Sequence, residues 1–257
     1  MAAHERKTLF YVLSHPEQNM LFTHGMTFKD FHSHSLYPLS QLLLLASEGG
    51  QTDVNLHTLL PLINEDTLHL LHEQKEGGRL CWVDFDDIDS VNSLSDNELA
   101  NLLFLGHKMS PVRSAFSPVL HNRFAFLTHY DGFLNKLYYK QSKDFTYFLS
   151  QFISAQVQKN SLKKLPIPGF RKQAVPSLPD SLAEHLFELS RDGLVIHFAE
   201  ITSSRTQLSV PLWLAGRYTN MDEMRDTAVQ KREASAYKAT LVFQKKKREW
   251  AIERLDH

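Results

Sequence analysis

The chain has 257 residues, 42% hydrophobic and 22% charged, with 10 Gly and 10 Pro. Those proportions exclude a disordered or collagen-like chain, and a single cysteine, Cys81, excludes an internal disulfide or a cysteine-only metal cage. The 28 basic and 29 acidic residues leave a net charge of −1, so no overall field draws polyanions or membrane surfaces to the molecule. The charge is unevenly spread, with 11 basic against 17 acidic side chains in residues 1–150 and 17 against 12 in residues 151–257.

Residues 8–14, aromatic and branched, read as a strand. The apolar stretch 9–13 is too short for the core of a secretion signal, and the aliphatic run 42–46 falls far short of the ~20 residues that cross a bilayer. A cytosolic protein without a membrane partner is therefore expected. Thr27, three residues before Asp30 and followed by Phe28 and Phe31, signals a helix start. Pro38 is expected in the first turn of another helix carrying Leu39, Leu42, Leu43 and Ala46, with Gly49 and Gly50 as its stop. Residues 64–76 read as helical and 80–88 as a strand. Ser95 and Glu98 form a capping box ahead of Leu99, Leu102 and Leu103, with Gly106 near the end of that helix.

Asp131-Gly132 is the residue pair of a type I′ turn, and folding the chain about it sets a full register. Thr128 then opposes Asn135, Phe126 opposes Leu137 and Phe124 opposes Tyr139 on a mostly aromatic face. A helix opening at Ser142 or Asp144 carries Phe145, Phe148, Leu149, Phe152 and Ile153 at helical spacing and is expected to end near Lys159. The prolines 166, 168, 176 and 179 then favour an extended connection. Beyond it the order is helix, strand, strand, repeated once, with helices over 180–191 and about 220–236. In the last hairpin Ala239, Leu241 and Phe243 share a face with Trp250 and Ile252.

The expected fold is thus α+β, antiparallel hairpins packed with helices. Two units are expected, 1–158 and a smaller αββαββ unit 180–257, joined by a basic, proline-rich connection 159–179.

Three groups of residues bear on function. His32 and His34, one residue apart, point the same way on extended backbone and could there hold one divalent ion. Their string, Lys29 to Ser35, resembles the opening motif of PHP-type metal hydrolases, a resemblance that implies a metal-dependent hydrolase. No later strand-end His or Asp follows in a comparable setting, and on a helix the two rings diverge by ~200°. Asp84 and Asp86 share a strand face within the acidic run 84–89 and would complete such a metal site. Lys245, Lys246, Lys247 and Arg248, at the tip of the last hairpin, could bind the phosphates of a nucleic acid. No phosphate loop or nucleophile elbow is present, and Cys81 between Leu80 and Trp82 reads as a small buried hydrophobe. The expectation is a non-catalytic protein that needs no cofactor and whose partner is another protein; a metal hydrolase and a nucleic-acid binder are the alternatives.

Overall fold

A computed structural model describes residues 8–37, 41–46, 60–62, 80–129, 134–163, 174–218, 223, 227 and 230–255. In chain order its strands are β1 (Leu9–His15), β2 (Met20–His24), β3 (Leu42–Ala46), β4 (Leu60–Leu62), β5 (Leu80–Asp84), β6 (Phe124–Thr128) and β7 (Leu134–Tyr139). They continue as β8 (Leu194–His197), β9 (Thr202–Ser203), β10 (Gln207–Leu214), β11 (Lys238–Gln244) and β12 (Glu249–Arg254). The helices are α1 (Phe28–His34), α2 (Ile88–Asn92), α3 (Asp96–Lys108), α4 (Ser142–Lys163), α5 (Asp180–Leu189) and α6 (Lys231–Ala234). The strand pairings within each unit are antiparallel, so the fold is α+β. No described helix is long and apolar enough to cross a membrane.

The chain forms two compact units, a central one, Pro16–Asp144, and a terminal one built from Met1–His15 and Phe145–His257. This division differs from the consecutive one expected from composition. The reason is a set of contacts distant in sequence: β1 pairs with β8, Leu9 opposite His197, and Phe152 of α4 packs against both Phe10 and Phe198. Of the expected connection 159–179, residues 159–163 continue α4 and 164–173 lie outside the described residues.

In the central unit the strand order is β2-β7-β6-β5-β3-β4. Both faces are covered. On one, Leu43, Leu45, Cys81, Val83, Ala125 and Leu127 join Leu102 and Leu105 of α3 in a single core. On the other, Phe28 of α1 stacks on Trp82 at 4.5 Å, and Phe31 meets Phe124 and Phe126 edge-on or tilted. Two buried faces explain why 42–46 is a strand, where Pro38 and leucine spacing suggested a helix. A short, unbroken apolar run fits a strand covered on both sides, and period alone does not separate the two. The hairpin register is as expected, Phe124 opposite Tyr139 through Thr128 opposite Asn135; its turn lies outside the described residues, as does the expected helix 64–76. The expected strand 80–88 stops at Asp84, because Asp87 caps α2 by accepting from the Ser90 amide. Gly106 lets α3 lie close on the sheet: a Cβ there would stand 2.8 Å from the Leu45 Cβ.

In the terminal unit the order is β12-β11-β10-β8-β1, with β9 pairing the start of β10 on the edge whose end pairs with β8. The aromatic stripe of α4 covers one face, Phe148 and Phe152 being fully buried and stacked. Each such ring contributes ~1.5–3 kcal/mol by burial. The helix runs to Lys163, one turn beyond the expected end. Of the expected helix 220–236 the described residues include α6, Lys231–Ala234.

Candidate binding site

The four residues read as a metal site do not assemble one. Thr27 caps α1 with a complete capping box, placing His32 and His34 on a helix where they diverge. His34 Nδ1 lies 2.7 Å from the Asp30 carbonyl, and the His32 ring lies against Phe28. Asp84 is buried with both oxygens engaged by protein donors. Oδ1 accepts from the amides of Arg123 (2.8 Å) and Phe124 (2.9 Å), and Oδ2 accepts from Arg123 Nε at 2.9 Å. Burial pushes its carboxyl above the ordinary range, and these three donors offset only part of that. Asp86 meets the same segment through its backbone, its amide donating to the Leu120 carbonyl at 3.3 Å. Among the described residues no group of three His, Cys, Asp or Glu side chains is placed to hold an ion. The donor set of these four residues therefore does not fit a divalent metal. Burial raises the Cys81 thiol far above its usual range, as suits a core residue.

What Asp84 does instead is fix the end of the irregular segment between α3 and β6. That segment begins at Met109, which closes α3 in left-handed backbone (φ 55°), and its carbonyl accepts from Lys136 Nζ at 3.0 Å. It ends at His121, also left-handed (φ 51°), just before the Asp84 anchor. Directly after His121, Asn122, fully buried, accepts from the Ser117 amide at 2.7 Å and donates to the carbonyls of Ala115 and Phe124. Ser114 Oγ accepts from the Phe116 amide, and Ser117 Oγ from the amides of Val119 and Leu120. The segment is thus built by its own hydrogen bonds, without a helix or strand.

Between it and α3 lies a cleft of about 330 Å³. Leu102, Leu105, Ala115 and Phe116 form its apolar part; Glu98 and Asn101 stand on the helix wall and Arg113 on the loop wall. Ser95 donates to Glu98 from both its amide (2.9 Å) and its hydroxyl (2.7 Å), which holds that carboxyl below the ordinary range and ionised at neutral pH. The cleft therefore pairs an anion on one wall with a cation on the other, above an apolar floor. Phe104 and Val112, adjacent in sequence to the lining residues, are exposed. The volume is near the lower end of ligand pockets, which run ~300–1,000 Å³. Sequence reading passed over this site; its one visible sign was Ser114 and Ser117, each starting a local hydroxyl-to-amide turn near Pro111 and Pro118.

A second cluster, in the terminal unit, also went unread, although His197 and Glu200 stand three apart in the sequence. His197 Nδ1 meets Glu200 Oε1 at 3.0 Å, and Arg232 of α6 pairs with Glu200 Oε2. The Arg232 guanidinium also lies over the Trp213 ring, 5.3 Å from its centre. Burial works against ionisation of Glu200, but Arg232 and His197 outweigh it and hold the carboxyl below its ordinary value. With each oxygen engaged, the cluster ties α6 to the turn after β8.

The four basic residues of the last turn divide in two. Lys245 Nζ donates to Ser203 Oγ (3.0 Å) and the Ser204 carbonyl (2.6 Å), and Arg248 reaches the Ala174 carbonyl at 3.4 Å. Lys246 and Lys247 project into solvent. Comparisons of the chain with protein families, with curated proteins and with solved structures found no match.

Proposed function

We propose that this protein acts without catalysis, by binding another protein through the cleft between α3 and residues 113–118. The occupant is an extended segment of the partner. One apolar side chain enters over Leu102, Leu105 and Phe116, a basic neighbour faces Glu98 and an acidic neighbour faces Arg113. The supporting observation is the opposed charges across an apolar floor, in a loop already held in shape by Asn122 and Asp84. Preorganisation of that kind lowers the ordering cost of association. The volume suits one side chain and its flanks better than a large cofactor.

The test is selection of nonapeptides from a random display library on the full-length protein, followed by calorimetry on the winners. The expected consensus is an apolar residue with a basic flank on one side and an acidic flank on the other. Asn101 is exposed on the cleft wall, so Asn101→Trp should plug the cleft and weaken binding at least ~10-fold, the ~1.4 kcal/mol scale of one lost anchor. Arg113→Glu should exchange the preferred acidic flank for a basic one. Absence of an enriched motif, or enriched peptides indifferent to both substitutions, would overturn the reading.

A further inference from the structure

In the terminal unit two turns lie side by side at one end of the sheet. The first, Ser204, Arg205 and Thr206, joins β9 to β10; the second, residues 245–248, joins β11 to β12, and β10 and β11 are direct neighbours, Gln207 opposite Gln244. They are tied together. The Lys245 amide donates to the Thr206 carbonyl at 2.8 Å, and Lys245 Nζ spans to Ser203 and Ser204. Ser204 Oγ accepts from the amides of Thr206 (3.2 Å) and Gln207 (3.0 Å), closing the first turn on itself. This join brings Arg205, distant in sequence, beside Lys246, Lys247 and Arg248, all four exposed. Glu249, at the head of β12, is the single acidic residue within these turns and their flanks.

We infer that the joined turns form a docking surface for the phosphate backbone of a nucleic-acid duplex, bound without reading its sequence. Three features select this partner. Neither turn carries an apolar side chain that could enter a bilayer. Neither carries an aromatic on which an unpaired base could stack, and Phe243 and Trp250 beside them are buried against each other. The turn centres stand two strand spacings apart, ~10 Å, along which a duplex presents about six phosphates, counting both strands at one per ~1.7 Å of axis. The four exposed cations on this mount can neutralise up to four of them. This inference rests on a different unit and different residues from the cleft, so either can fail without the other.

The experiment uses the full-length protein and two 20-base-pair duplexes of unrelated sequence, with affinity measured by fluorescence anisotropy from 50 to 200 mM salt. Four neutralised phosphates predict a log–log slope of about −3.6, hence ~150-fold weaker binding across that range, equal for both sequences. Lys246→Ala with Lys247→Ala should reduce the slope by about two, and Lys246→Glu with Lys247→Glu should abolish binding. Both residues are exposed, and an unchanged thermal melt of each variant confirms that the fold is kept. No binding at 50 mM salt, or a slope that these variants leave intact, overturns the proposal. Equal binding of polyglutamate or of anionic vesicles also overturns it, in favour of an acidic protein or a lipid surface.

Discussion

Replacing Asp84 by Ala removes the acceptor for two backbone amides, those of Arg123 and Phe124, at 2.8 and 2.9 Å. An amide left without a partner in a buried setting costs ~1–3 kcal/mol, so the pair costs ~2–6 kcal/mol. The Arg123 guanidinium is 35% exposed and lies over the Tyr37 ring; once released it is solvated, and its lost ion pair adds little. Asp84→Asn keeps an acceptor oxygen for the amides and gives up the charge facing Arg123, so it should lose less, ~1–2 kcal/mol. Native stabilities of ~5–15 kcal/mol make the Ala change severe. Urea unfolding followed by circular dichroism, with ΔG taken from midpoint and slope, measures both. A loss under ~0.5 kcal/mol for Asp84→Ala, or the same loss for Ala and Asn, would refute the assignment of Asp84 as the anchor of the loop.

Two glycines should separate steric from conformational demand. A Cβ at Gly193 (φ +75°) would sit 2.0 Å from the Gly216 carbonyl oxygen, whereas one at Gly216 (φ +93°) meets nothing within 4 Å. Gly193→Ala should therefore cost ~2–6 kcal/mol by strain and overpacking, and Gly216→Ala only ~1–2 kcal/mol of backbone strain; equal thermal shifts would contradict this. Gly106→Ala should destabilise although Ala favours helix by ~1 kcal/mol, because the added methyl meets Leu45 at 2.8 Å. The stability that Glu200 contributes is present above its ordinary value of 4.5 and is lost as the pH falls through its lower folded value. Its partners are partly exposed, so Glu200→Gln should cost under ~1 kcal/mol at pH 7 and converge with the parent in strong acid. A gap that persists there would refute the ionic account.

Local signals survived folding wherever they were complete in themselves. The Thr27 and Ser95 capping boxes, the hairpin register about Asp131-Gly132 and the shared face of Phe243 and Trp250 all depend on residues a few positions apart. The run 42–46 failed because its conformation is decided by β5, some 40 residues away, which hydrogen-bonds along it and gives each leucine a cross-strand neighbour. The same distance hid the grouping of β1 with the C-terminal residues. The metal reading required His32 and His34 on extended backbone, and Thr27 had already placed them on a helix. The acidic run held a real clue of another kind: Asp84 is held by amides at 123 and 124, a pairing that no spacing near it could reveal. Beyond the turn signals at Ser114 and Ser117, the cleft was hidden for the same reason, since its walls come from a helix and an irregular segment whose shape depends on the buried Asn122.

Amide chemical-shift mapping of the protein with a selected nonapeptide tests the central claim most directly. The account predicts saturable shifts at Asn101, Leu105, Ser114 and Ser117, with intermolecular contacts from the apolar peptide side chain to Phe116. Saturable shifts confined to any other surface, with these four amides unmoved, would contradict it.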